Sequence, residues 1–273
     1  MIEITIGIAA ATMLGMAVIM SYILGWANKK FHVEVDKRVE EILSVLPGAN
    51  CGGCGHLGCS EYAVAIATEN APVNKCPVGG ENCAVQIAGI MGVDVGAIVP
   101  NRPVVRCGAD FQDRLGRTEY RGEKRCAAAN LVAGVQDCTF GCLGFGDCTV
   151  ACKYDAIHIV EGVAVVDYTK CIGCGACVKA CPRAIITMAE FHEDKIPSVL
   201  CSNKDRGKDV SSVCKRGCIG CKACVKISDM FVMENDLARS NHSAYIGELK
   251  GAAIQAIEKC PSNCIQFVGK DQN

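Results

Sequence analysis

Cys171-Ile-Gly-Cys174-Gly-Ala-Cys177-Val-Lys-Ala-Cys181-Pro182 is the stretch whose reading decides the fold. Its spacing, C-x2-C-x2-C-x3-C-P, suits a loop in which three thiolates hold one iron–sulfur cubane and the fourth reaches a second. A variant stands upstream, Cys138-x3-Cys142-x5-Cys148-x3-Cys152. Between the two runs, residues 156–160, the pair Glu161-Gly162 and residues 163–166 read as strand, turn and strand. Two cysteine runs flanking a hairpin predict a pseudo-twofold α+β unit over residues 135–190. Crossing the fourth ligands assigns Cys138, Cys142, Cys148 and Cys181 to one cubane. The other takes Cys152, Cys171, Cys174 and Cys177.

Downstream, residues 201–268 repeat this pattern in eroded form. Cys218-Ile-Gly-Cys221-Lys-Ala-Cys224 supplies three ligands, but Ser228 stands at the fourth position, followed by Asp229. Residues 230–238 keep the strand–turn–strand pattern. A second C-x2-C-x2-C is missing, and a helix-like stretch, 251–259, leads instead into Cys260-Pro261. The expectation is a ferredoxin-like unit with one cluster, held by Cys218, Cys221, Cys224 and Cys260. Two alternatives stay open from the spacing. Cys214, four residues before Cys218, competes with Cys260, and Cys201, Cys214 and Cys264 are candidates for a site completed by an outside ligand.

Upstream, residues 32–100 read as a small helical domain. Val35, Val39, Ile42 and Leu43 recur at helical spacing before Pro47-Gly48. Then comes Cys51-Gly-Gly-Cys54-Gly-His56-Leu-Gly-Cys59, a helix carrying Tyr62, Ala63 and Ile66, and Cys76-Pro77. A zinc site needs a similar ligand count. The Gly-rich spacer, the Cys-Pro pair and the neighbouring runs favour a 4Fe-4S cluster on Cys51, Cys54, Cys59 and Cys76, with His56 a nearby loop residue. Residues 101–134 read as a connecting segment, with Cys107 and Cys126 as isolated packed thiols.

No charge interrupts residues 4–27. A helix of that length spans a hydrocarbon core of about 30 Å. No basic residue precedes the run and no small-residue cleavage site closes it, so an anchor over residues 1–28 is expected rather than a cleaved signal. Lys29, Lys30, Lys37 and Arg38 follow, which by the positive-inside rule puts the N-terminus outside and the rest in the cytoplasm. Gly7, Ala11 and Gly15 share one face, a spacing that lets another membrane helix approach. The cytoplasm keeps thiols reduced, so the 22 cysteines of this 273-residue chain read as metal ligands before disulfides. Half of the residues are hydrophobic and the net charge is −1, which excludes a disordered chain and a general nucleic-acid binder. Neither a G-x-G-x-x-G after a strand nor a Walker loop occurs, and no charged residue in the span offers an ion path. No catalytic residue is expected.

Taken in order, the anchor, CGGCGHLGC…CP, CTFGCLGFGDCTVAC, CIGCGACVKACP and VLCSNKDRGKD resemble the B-type subunit of the Rnf complexes, as far as about residue 226. The tail departs from longer members, which resemble a full second ferredoxin pair. The resemblance implies a component of a bacterial inner-membrane translocase. Such complexes couple electron transfer between ferredoxin and NAD+ to Na+ or H+ transport, and other subunits carry the flavins and the nicotinamide site. This chain would then be a wire of about four 4Fe-4S clusters. Its soluble partner would be ferredoxin, docking at residues 201–226, where seven basic residues face two acidic ones; Lys204, Arg206 and Lys208 lead that patch. Rival readings are the same wire feeding another acceptor, a stand-alone iron–sulfur oxidoreductase, and a zinc scaffold.

Overall fold

The computed structural model describes residues 2–31, 36–96, 98–245, 247 and 249–270. The charge-free stretch forms helix α1, Ile2–Lys30. Its large apolar side chains, such as Met13, Leu14, Tyr22 and Leu24, are exposed. Among the described residues it is the one helix long and apolar enough to cross a membrane.

A helical unit follows, made of α2 (Lys37–Val45), α3 (Cys59–Glu69) and α4 (Gly80–Met91). The Asp36 carboxylate accepts from the Arg38 N–H and caps α2, satisfying one of the donors a helix start leaves free. Asn70 and Gly92, both left-handed, end α3 and α4. Val39, Ile42, Leu46, Tyr62, Ile66 and Ile87 form a separate core. The buried face of α2 is narrower than its spacing suggests, because Leu43 is exposed; Val35 lies outside the described residues.

Two units of one design make up the rest. The first runs β1 (Asn101–Val105), α5 (Cys126–Ala129), α6 (Asp147–Ala151), β2 (Ile157–Val160), β3 (Val163–Val166), α7 (Ala176–Ala180) and β4 (Ile186–Glu190). The second runs β5 (Lys195–Val199), α8 (Gly207–Val213), α9 (Ala223–Ile227), β6 (Phe231–Glu234), β7 (Leu237–Ser240), α10 (Leu249–Glu258) and β8 (Ile265–Gly269). In each, an inner hairpin (β2–β3, β6–β7) is accompanied by an antiparallel pair of the unit's first and last strands (β1–β4, β5–β8). Val105 pairs with Ile186, and Val199 pairs with Ile265 in the same register. This nonlocal pairing draws residues 101–105 and 195–199 into the units, although the sequence pattern starts them at 135 and 201.

The two units share one core, in which Val104, Ile157, Ile186, Ile196, Val199, Phe231 and Leu237 are buried together. Backbone hydrogen bonds stitch them. Gly108 N–H donates to the Leu200 carbonyl (3.0 Å), Leu115 N–H to Val213 (3.0 Å) and Lys215 N–H to Asp113 (2.9 Å).

Candidate metal centres

All 22 cysteines are free thiols, and only Cys221 is exposed. They gather in sets. In the helical unit, Cys54, Cys59 and Cys76 pack on one core, and Cys51 shares their loop. Tyr62 fixes the return of the chain to Cys76, because its hydroxyl donates to the Pro72 carbonyl (2.6 Å) and accepts from Lys75 N–H (3.1 Å). Gly53 N–H points at Cys51 Sγ (3.4 Å) and Gly79 N–H at Cys76 Sγ (3.3 Å). Such donors tune the potential of a bound cluster. The ring of His56 lies against Tyr62, with centroids 5.2 Å apart. Cys83 leans on Cys76.

In the first ferredoxin-like unit, Cys152, Cys171, Cys174 and Cys177 line one cavity. The partner cavity is lined by Cys126, Cys142, Cys148 and Cys181. Here the structure departs from the set read off the spacing. Cys138 lines a different cavity, and Cys126 stands in its place. The cause is Asp147, beside Cys148, whose carboxylate accepts from the N–H groups of Cys126 (3.0 Å) and Ala127 (2.9 Å) and docks the short α5 at the site. The missed signal is Phe145. It lies three residues after Cys142, where Cys221 lies three after Cys218, so one thiol of a C-x2-C-x2-C run had to come from elsewhere.

In the second unit, Cys218, Cys221, Cys224 and Cys260 line a cavity together with Cys264. Cys214 does not reach it. Cys260 precedes Pro261 as Cys181 precedes Pro182, whereas Cys264 occupies the position of Ile185. By this equivalence Cys260 is the ligand and Cys264 its neighbour, 3.6 Å away between sulfurs. Hydrogen bonding among the Cys218, Cys260 and Cys264 sulfurs lowers Cys260 to about 5 and Cys218 to about 6 and pushes Cys264 upward. A fourth cavity is lined by Cys107, Cys138, Cys201 and Cys214.

The residues fit iron–sulfur clusters in donor type, number and spacing. Burial pushes Cys142 and Cys224 up to about 11 and Cys148 and Cys177 up to about 12. These thiols stay neutral until a cation offsets their charge, so metal binding must release protons. Among the described residues, no three His, Cys, Asp or Glu side chains converge on a point suited to a single ion. The sulfurs ring spaces instead.

The sets lie in series. Lys179, on α7, donates to the Cys51 carbonyl (3.4 Å), and Gly53 abuts the Cys174 carbonyl, so the helical unit's loop touches the first ferredoxin-like unit. Cys148 feels the charge of Cys177. Around the last set the surface is basic. Lys204, Arg206 and Lys208 are exposed, and Gly207 packs its Cα on the Ile219 carbonyl of the Cys218–Cys221 loop.

Serial four-cysteine sites on two ferredoxin-like units, behind a helix of membrane length, define an iron–sulfur electron-transfer protein. Family models agree, matching residues 46–78 ("Putative Fe-S cluster"), 164–187 ("4Fe-4S binding domain") and 213–267 ("4Fe-4S single cluster domain of Ferredoxin I"). The chain is 40% identical to the B-type subunit of the Na(+)-translocating ferredoxin:NAD(+) oxidoreductase complex of Acetobacterium woodii, over 89% of this chain and 72% of the relative. It is 34% identical to the corresponding subunit of the proton-translocating ferredoxin:NAD(+) oxidoreductase complex of Clostridium ljungdahlii, over 94% and 90%. It is also 41% identical to that of the ion-translocating oxidoreductase complex of Methanosarcina acetivorans, over 76% and 78%. The chain belongs to the B-type subunit family of these ion-translocating oxidoreductase complexes.

Proposed function

We propose that this chain relays single electrons between reduced ferredoxin and the membrane subunits of an ion-translocating complex that reduces NAD+, in either direction. The observation that carries the reading is the series of cavities each ringed by at least four cysteines. Cys51, Cys54, Cys59 and Cys76 hold one 4Fe-4S cluster. Cys126, Cys142, Cys148 and Cys181 hold a second, Cys152, Cys171, Cys174 and Cys177 a third, and Cys218, Cys221, Cys224 and Cys260 a fourth. Bound clusters of this kind take up and pass on one electron each without bond-making chemistry.

The chain's own residues set the direction of the wire. Helix α1 anchors it as a single pass with the N-terminus outside, a reading supported by Lys29 and Lys30 at its inner end. The helical unit follows the anchor directly in the chain, and the C-terminal unit carries the exposed Cys221 beside Lys222. Ferredoxin, generally acidic, docks on Lys204, Arg206 and Lys208; no acidic side chain among the described residues is paired with them. Complementary charge raises the encounter rate, and salt screens it.

Steady-state ferredoxin oxidation by the intact complex tests this. Reversing Lys204, Arg206 and Lys208 to Glu should raise the apparent KM for ferredoxin about tenfold at low salt, with the gap closing as salt rises. An unchanged KM would overturn the docking site. Stoichiometric zinc with little iron in the anaerobically purified chain would overturn the relay itself.

A further inference from the structure

Of the six cysteines outside the sets above, four meet in one cavity: Cys107, Cys138, Cys201 and Cys214. They come from four separate stretches of chain. Their positions are not independent. Cys107 lies two residues past the end of β1, and Cys201 lies two past the end of β5. Cys138 precedes Cys142 by four residues, and Cys214 precedes Cys218 by four. Cys142 and Cys218 are themselves equivalent, because each is followed two residues on by a left-handed glycine (Gly144, Gly220) pressed on the hairpin turn of its own unit. Each unit therefore contributes the same two cysteines, and the cavity sits on the pseudo-twofold seam. The seam is closed on either side by the Gly108–Leu200 and Lys215–Asp113 backbone bonds and by Ser202 Oγ donating to the Arg106 carbonyl (2.9 Å).

The cavity matches the others. Like the three other cavities of the ferredoxin-like units, it is ringed by at least four cysteines. Cys107, Cys201 and Cys214 are buried. Asn203, 2% exposed, aims its amide at Cys138 Sγ (3.7 Å), and N–H groups of Asn203 and Cys218 face Cys201. The buried guanidinium of Arg114 also lines the space, a cation that offsets the net negative charge of a thiolate-bound cluster.

We infer that Cys107, Cys138, Cys201 and Cys214 hold a further 4Fe-4S cluster, shared between the two ferredoxin-like units. The inference rests on the reading of the other sets as cluster sites. On binding, each thiol gives its proton to solvent and its sulfur bonds one iron; no oxidant is needed. The place in the series is defined. Cys107 lies in electrostatic reach of Cys142 on one side, and Cys201 in reach of Cys218 on the other. The seam site thus joins the C-terminal set to the core sets, and electrons from the basic surface would pass through it.

Iron, acid-labile sulfide and zinc per chain, measured on the full chain purified anaerobically, test this together with native mass spectrometry. The expected count is about twenty iron and twenty sulfide, four per cubane. Cys107→Ser and Cys201→Ser, one from each unit, should each lose about four of both, while Cys83→Ser loses none. If the variants fail to fold, the native mass of the wild-type chain still decides between four clusters and five. About sixteen iron in the wild type, unchanged in both variants, would overturn this inference alone. One zinc with sixteen iron would also overturn it and make the seam a structural zinc site. Little iron anywhere would overturn the relay reading instead.

Discussion

The unit at residues 101–190 and the unit at 195–269 share strand pairing, register and the placement of a glycine against the hairpin turn. They differ in what the cysteines were exchanged for. In the first, Phe145 replaces one thiol of the leading run and Cys126, imported by Asp147, makes up the set. In the second, the leading run is whole, but the far set is gone. Ser228 stands four residues after Cys224 as Cys152 stands four after Cys148, and Tyr245 stands five after β7 as Cys171 stands five after β3. Both are buried, and Tyr245 shares its core with Met230, Phe231, Ala253 and Ala256. The comparison teaches that a set of thiols is not defined by a motif alone: one missing from a run can be met by a cysteine from elsewhere in the chain, whereas at the far place of the second unit no thiol is left.

The largest expected effect tests the equivalence itself. Gly144 and Gly220 both have positive φ (76° and 66°) and both face a backbone carbonyl, of Gly162 and Asp236, that leaves no room for a Cβ. Gly144→Ala and Gly220→Ala should each destabilise the anaerobic chain by about 2–3 kcal/mol in thermal or denaturant unfolding. A large cost in one unit and none in the other would break the parallel.

A smaller effect separates the units by chemistry. Two residues past the hairpin, the first unit has Tyr168, whose hydroxyl donates to the Pro103 carbonyl (2.9 Å), and the second has His242, whose Nε2 meets Ser198 Oγ at 2.7 Å. Burial lowers His242 to about 4, against about 6.5 for a free imidazole. Between those values the unfolded chain binds a proton that the folded chain does not. Stability is therefore full above about pH 6.5 and is lost as pH falls toward 4. Between pH 7.5 and 5.5 the loss should be about 1 kcal/mol. His242→Gln should remove that pH dependence, and an identical slope in wild type and variant would contradict the assignment.

The smallest effect is an expected absence. Ser228→Cys restores one thiol at a place where Tyr245, Glu248 and Gly251 stand at the positions of the other three, so iron per chain should not rise. A gain of about four iron would show that the far place is still open.

Much of this was legible in the sequence, and the reasons are local. The C-x2-C-x2-C-x3-C-P run and the two hairpins rest on residues close in the chain, so spacing alone exposes them. Cys126 and the seam set depend on tertiary contacts: a carboxylate twenty-one residues away docks α5, and strand pairs closing over some eighty residues bring Cys107 and Cys201 to one seam. The clue lay in comparing the units. Aligning Cys142 with Cys218 reveals the gap at Phe145 and the matched pair Cys138/Cys214, whereas Cys107 and Cys201 match only once the ends of β1 and β5 are superposed.

The measurement that reaches furthest is an iron-edge anomalous difference map from anaerobic crystals of the chain. The account predicts five compact peaks. One is ringed by Cys107, Cys138, Cys201 and Cys214 on the seam, and another by Cys126, Cys142, Cys148 and Cys181. A peak shared by Cys138, Cys142 and Cys148, with nothing on the seam, would contradict it.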